Sequence, residues 1–245
     1  MVNDKFKKTP LRILNKFLNK LISHIHFLEP RENTKQRVIS SLIMIPLALY
    51  AIFRSENFFI FLSIAIAMMM TVEWLDMTRR EENQTKWRAI GLFYILIPIY
   101  SVIKIRMLDS NILFWMFAVI WATDIFAFFA GRSLGGPKIA PDISPNKTWS
   151  GLAGGIVASM LIGLLSSFMF AAGGILFFVT ISMFLSLLEQ GSDLLESKFK
   201  RMFGVKDSGS IIPGHGGVLD RLDGMMLVAP VVLFLITVFP TKFGM

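Results

Sequence analysis

The sequence predicts an all-α, polytopic integral membrane protein with about seven transmembrane helices and a polar active site facing the cytoplasm. Three observations predict it. Of 245 residues, 54% are hydrophobic and only 17% charged, with mean hydropathy +0.61, too apolar for an average soluble domain. The apolar residues fall in long blocks, as spanning helices require. Lys and Arg gather in alternate connections between those blocks, the bias that orients a membrane chain.

Residues 1–36 read as a basic amphipathic extension. Leu11, Leu14, Leu18, Leu21 and Ile25 recur at helical spacing, with Arg12, Lys16 and Lys20 elsewhere on the wheel. A helix lying on an anionic membrane and a charged tail that only sets orientation both fit. The extension is basic but has no continuous apolar core, so no cleavable signal peptide is expected. From 37 to 245 the chain reads as one membrane domain. Its expected spans are 38–53, 58–75, 89–103, 112–130, 151–170, 174–188 and 225–239. Several are shorter than the ~20 residues that cross a hydrocarbon core, so flanking residues must join them or the bilayer must thin.

Placing the N-terminus in the cytoplasm puts Arg79, Arg80, Lys86 and Arg88, then Arg132, Lys138 and Lys147, then the basic stretch 197–223 on that side. The opposite connections hold only Arg54, Lys104, Arg106 and the tail residue Lys242. The net charge of +8 therefore points to anionic lipid headgroups and not to nucleic acid. With no cysteine, neither a disulfide framework nor a thiolate metal site is available.

Polar residues inside the apolar runs carry the next signal. Glu189, Asp193 and Glu196 stand at i, i+4 and i+7, on one helix face. Carboxylates at membrane depth are costly and mark function; at a helix end in water they are an ordinary solvated face, and both readings stay open. Asp124, within IWATDIFAFFAGR, lies deeper and needs a cation, a metal or a proton.

The most polar stretch is 197–223, SKFKRMFGVKDSGSIIPGHGGVLDRLD. Lys198, Lys200, Arg201, Lys206 and Arg221 stand against Asp207, Asp220 and Asp223. Cations hold phosphate oxygens, and paired carboxylates hold a divalent metal. Gly209, Gly214, Gly216 and Gly217 let backbone N–H groups approach a bulky anion. A solvated loop between spans would account for the cations but not for the three Asp or for His-Gly-Gly. The residues point to a metal-assisted phosphate site at a membrane surface. A second polar loop, 131–150, reads GRSLGGPKIAPDISPNKTWS and offers Ser144, Lys147 and Thr148 close to a helix N-terminus, a favourable place for phosphate.

The order Ser197, Phe199, Lys200, Arg201, Lys206, Asp207, Pro213, His215, Gly216, Gly217, Asp220, Arg221 and Asp223 resembles the signature of the phosphatidate cytidylyltransferases (CDP-diacylglycerol synthases) without a departure. The Ser-Pro-Asn-Lys-Thr-Trp-Ser-Gly run from Ser144, and Glu73-Trp74 at the end of the second span, also resemble family features. The resemblance covers roughly Arg37 to the C-terminus. Two differences stand out. Many members have further spanning helices in mid-chain, and they usually read Gly-Asp where this chain has Ser192-Asp193.

The resemblance implies that CTP and phosphatidate, drawn from the membrane lipids, give CDP-diacylglycerol and pyrophosphate. It implies Mg2+ on Asp193, Asp220 and Asp223, and leaves room for a second, monovalent cation. Lys200, Arg201, Lys206, Arg221 and Lys147 are the expected phosphate contacts, with Ser144, Thr148, Gly216 and Gly217 beside them. Asp124, Glu196 and Asp207 are expected supports. His215 either meets pyrophosphate or a proton, or hydrogen-bonds the loop backbone and shapes the Gly216-Gly217 turn. A bacterial inner membrane and a homodimer complete the expectation. A CDP-alcohol phosphatidyltransferase is excluded because Asp223-Gly224 is followed by Met-Met-Leu, and a Walker-type kinase because no Gly-Lys-Ser/Thr loop exists. A transporter using Asp124 and Asp193 would bring internal symmetry, which the sequence lacks.

Overall fold

The computed structural model describes residues 42, 45–170, 172–211 and 216–245. The amphipathic extension 1–36 and His215 lie outside the described residues, as does most of the start of the first expected span; its remainder is helical over 45–53. Among the described residues, five helices are long and apolar enough to cross a membrane. They are α1 (Glu56–Met77), α2 (Gln84–Leu108), α3 (Ser110–Leu134), α4 (Trp149–Met169) and α5 (Ile175–Met202). The four-residue α6 (Leu219–Leu222) and the shorter apolar α7 (Met225–Val238) follow, then a 3-10 turn, Pro240–Phe243. The last expected span is thus a 14-residue helix, short of the ~20 residues a full crossing takes.

Helix ends are set by local chemistry. Ser55 accepts Phe58 N–H at the start of α1, Asp109 accepts Asn111 N–H at the start of α3, and Thr148 accepts Gly151 N–H at the start of α4. α5 outlasts its apolar span, as a helix face shared by Glu189, Asp193 and Glu196 requires. The apolar run stops near Leu188, yet the helix continues to Met202, because Leu, Glu and Lys are good helix formers whatever their polarity. Gly204, at φ 69°, then ends it: Gly204 N–H donates to Arg201 O (3.2 Å) and Val205 N–H to Lys200 O (2.9 Å), a left-handed glycine stop.

The wholly helical expectation needs a correction. Lys138–Ala140 (β1) and Ser144–Thr148 (β2) pair antiparallel, with Lys138 opposite Thr148 and Ala140 opposite Ser144. Pro137, Pro141 and Pro145 keep this connection out of a helix, and its extended backbone closes as a hairpin between α3 and α4.

α3 packs along α4 and α4 along α5, while α1 and α7 pack on α2. α3 and α5 run parallel: Trp115 and Phe178, each near the start of its helix, have rings 5.4 Å apart, and Trp115 Nε1–H donates to Ser182 Oγ (3.2 Å). Near one end Phe178 and Phe243 pack on Trp115, and Phe170 packs on Phe178. Trp74, Trp87, Tyr94, Phe199 and Phe203 form a second aromatic group at the other end of α5. The 21 steps along α5 from Phe178 to Phe199 span ~32 Å at 1.5 Å per residue, about one hydrocarbon core. The polar residues gather by the second group.

Candidate functional site

The last three turns of α5 form the floor of the site. Glu189 and Glu196 are buried, each 1% exposed, so this face turns into the protein and is not a solvated edge. Glu189 pairs with Asp124 of α3, and the charge of Asp193 acts on both. Gln190 Nε2 donates to Glu189 Oε2 (3.0 Å). Lys147, from β2, donates to Gln190 Oε1 (2.9 Å) and lies 2.7 Å from Asp193 Oδ2. A hairpin cation is thus fixed on a helix residue 46 positions later in the chain (Asp193 against Lys147). Asp124, Ser144, Lys147, Thr148, Gln190 and Asp193, with the apolar Phe128 and Leu152, line a cavity of about 250 Å³. One wall is charged and the other faces the apolar surface of α3 and α4.

One turn further on, Lys200 Nζ lies 2.6 Å from Glu196 Oε2 and 2.7 Å from Asp220 Oδ1. Asp220 also accepts Ser208 N–H (3.0 Å) and Gly217 N–H (2.9 Å) on Oδ2. Burial alone would push this carboxyl up, but Lys200 and the two amides hold it below the usual carboxylate range. Asp223 behaves oppositely. Burial first, then the charges of Asp193 and Asp124, push it up to about 7. Its Oδ1 accepts Gly224 N–H (2.8 Å), and its carbonyl accepts from the buried Ser192 hydroxyl.

The donor chemistry supports a hard cation at one part of this set. Asp193 and Asp223 are oxygen donors whose charges oppose each other, and Asp193 keeps 25% of its side chain exposed, so the pair fits a divalent ion. Asp220 is engaged by Lys200 and two amides, and reaches an ion only by releasing some of them. Among the described residues no group of three or more His, Asp or Glu stands ready to hold a metal.

The model of the cytidylyltransferase family matches residues 35–112 and 88–239. A phosphatidate cytidylyltransferase of Rickettsia felis is 40% identical over 86% of this chain and 95% of its own length.

The chain belongs to the cytidylyltransferase family.

Phosphatidate cytidylyltransferases of Rickettsia bellii (41% identical, 84% of this chain, 91% of theirs) and Brucella abortus (43% identical, 69% and 61%) are also similar to it. The other expected site residues take varied places. Arg201 donates to the carbonyls of Ile143 (3.3 Å) and Val205 (3.0 Å), tying α5 to the hairpin. Lys206 and Asp207 are exposed beyond the helix end, as is Arg221. Gly216 takes φ 85° beside Asp220, a backbone that favours glycine. Thr148 is buried as the α4 cap.

Two residues of this family member were missing from the expected set. Gln190 bridges Glu189 and Lys147; an amide next to a carboxylate after an apolar run was the signal available. Glu73, seen in the sequence only as half of a Glu-Trp pair, is 3% exposed and accepts three hydrogen bonds from the 208–219 region.

Proposed function

We infer that the chain transfers the CMP moiety of CTP to phosphatidate, giving CDP-diacylglycerol and pyrophosphate. One observation carries the reading to this site: Lys147 of the hairpin is held on Asp193 of α5, and Lys200 of α5 is held between Glu196 of the same helix and Asp220 of α6. Two polyanions must be brought together here, and the phosphatidate phosphate is already anionic, so fixed cations matter more than a strong base.

In this reading the Lys147 cavity takes the phosphatidate phosphate, since its apolar wall at Phe128 and Leu152 suits a headgroup entering from lipid. Ser144 and the hairpin backbone stand beside it. Lys200, Arg201, Lys206 and Arg221 serve the CTP phosphates, with Gly216 and Gly217 allowing close backbone approach. Asp193 and Asp223 would hold Mg2+, with Asp220 able to join; the ion, when bound, supplies charge neutralisation at the phosphorus under attack. Asp124 and Glu196 support Lys147 and Lys200 respectively. Loop charges support a cytoplasmic site in a bacterial inner membrane, with α7 and the first span completing about seven crossings.

The test is direct. Protein purified in detergent should release pyrophosphate only when CTP, phosphatidate and Mg2+ are all present. Release without phosphatidate, or none with all three, would sink the reading.

A further inference from the structure

Two carboxylates grip the same two segments of chain, one at Ser208 and one at the start of α6. From α6, Asp220 accepts the N–H groups of Ser208 and Gly217. From the end of α1, Glu73 accepts the Ser208 hydroxyl on Oε2 (3.2 Å), Val218 N–H on Oε1 (2.8 Å) and Leu219 N–H on Oε2 (2.9 Å). Glu73 thus joins residues 135 to 146 positions away and satisfies amides at the start of α6 that have no partner within that short helix.

The approach is close enough to dictate glycine. A Cβ on Gly209 would lie 2.8 Å from Glu73 Oε1, and one on Gly217 would lie 2.8 Å from Glu73 Oε2 and 2.0 Å from Ser208 Oγ. The next residue, Trp74, anchors the same turn of α1: its indole N–H donates to Trp87 O (2.8 Å) and its ring packs on Phe199 of α5. The carboxylate is therefore held still from below while it holds the loop from above.

We propose that Glu73 is a positioning residue of the transferase site: through the Ser208 hydroxyl and the backbone of Val218 and Leu219 it sets Asp220 and Asp223 against Lys200 and Ser192 of α5. This rests on the transferase reading above. Glu73 is not among the residues that line the cavity at Lys147, so it acts on the geometry of reaction and not on substrate capture.

Glu73→Gln tests it. A carboxamide keeps one acceptor oxygen and turns its NH2 group toward at least one of the three donors, so the α6 start must shift while the shape is kept. Misplacement by about 1 Å costs about a hundredfold in rate. In detergent micelles with CTP, phosphatidate and Mg2+, kcat per folded molecule of E73Q should fall about a hundredfold. KM for each substrate should stay within about threefold, since the Lys147 cavity is untouched. A purely structural role would instead lower the yield of folded protein at constant kcat. Folded E73Q with wild-type kcat, or with unchanged kcat and raised KM, overturns the proposal. Should E73Q not fold, Ser208→Ala decides: it removes one donor from the grip and should lower kcat about fivefold, and wild-type kcat in S208A overturns the proposal equally. The wild type is the control that separates the two ideas. An inert wild type sinks the transferase reading, whereas a working wild type beside a working variant sinks only the role of Glu73.

Discussion

Ser192 stands, fully buried, where relatives of this chain are expected to carry glycine. Its hydroxyl donates to the Asp223 carbonyl and accepts Leu227 N–H (3.3 Å). α7 has no capping side chain of its own, so α5 supplies the cap. Ser192→Ala leaves the Leu227 amide without this partner and should cost ~1–2 kcal/mol, read as a lower melting temperature in detergent; an unchanged one would mean that the hydroxyl contributes no net bond. Asp220→Asn keeps the shape but takes the charge from Lys200 and gives one amide a donor to face. Turnover should fall at least about a hundredfold, ~3 kcal/mol of transition-state stabilisation, and near-normal turnover across a Mg2+ titration would remove Asp220 from the chemistry. Lys147→Ala should raise the KM for phosphatidate more than it lowers kcat, because a headgroup contact made equally in ground and transition states is uniform binding. Varying each substrate separately checks this, and a collapsed kcat with both KM values intact would place Lys147 at the reacting phosphorus.

At the scale of elements, the α4–α5 contact governs where the polar end of α5 stands. Gly163 of α4 lies so close to α5 that a Cβ there would come 2.4 Å from the Phe178 carbonyl and 2.7 Å from Ser182 Oγ. Backbone cannot yield as a flexible side chain does, so Gly163→Ala must push the helices apart. A destabilisation of ~1–3 kcal/mol is expected, measurable as loss of the folded fraction on heating in detergent. If Gly163→Ala melted with the wild type, the two helices would not be in the close contact described. The hairpin matters for a different reason. It is short and polar, yet it delivers Lys147 across to Asp193 (2.7 Å) while Arg201 of α5 returns to the Ile143 carbonyl. Two opposing ties hold the hairpin to the helix, so the cavity between them has a defined wall.

For the whole molecule the proposal concerns sidedness. The absence of native cysteine makes labelling clean. Ser210 and Lys242 are both exposed and, on the charge bias, lie on opposite sides of the membrane. In intact cells an impermeant thiol reagent should label Lys242→Cys and leave Ser210→Cys unlabelled until the cells are opened. The reverse pattern would separate the site from cytoplasmic CTP and overturn the orientation.

The membrane class, the central five spans and the two polar segments are legible in the amino-acid order alone. Those properties are written in runs: apolar length, Pro and Gly punctuation, and charge counted loop by loop all survive without tertiary contacts. The same local logic overlooked the β1–β2 pairing and left the end of α5 beyond Glu196 unset, since helix propensity outlasts hydrophobicity there. Which charges meet is settled by packing in three dimensions. That Lys147 goes to Asp193, that Asp220 faces Lys200, and that Glu73 holds the far loop depend on contacts between residues 20 to 146 positions apart. A buried carboxylate finds its donors wherever packing brings them, because leaving it unpaired in an apolar interior costs several kcal/mol; periodicity along the chain carries no record of that choice.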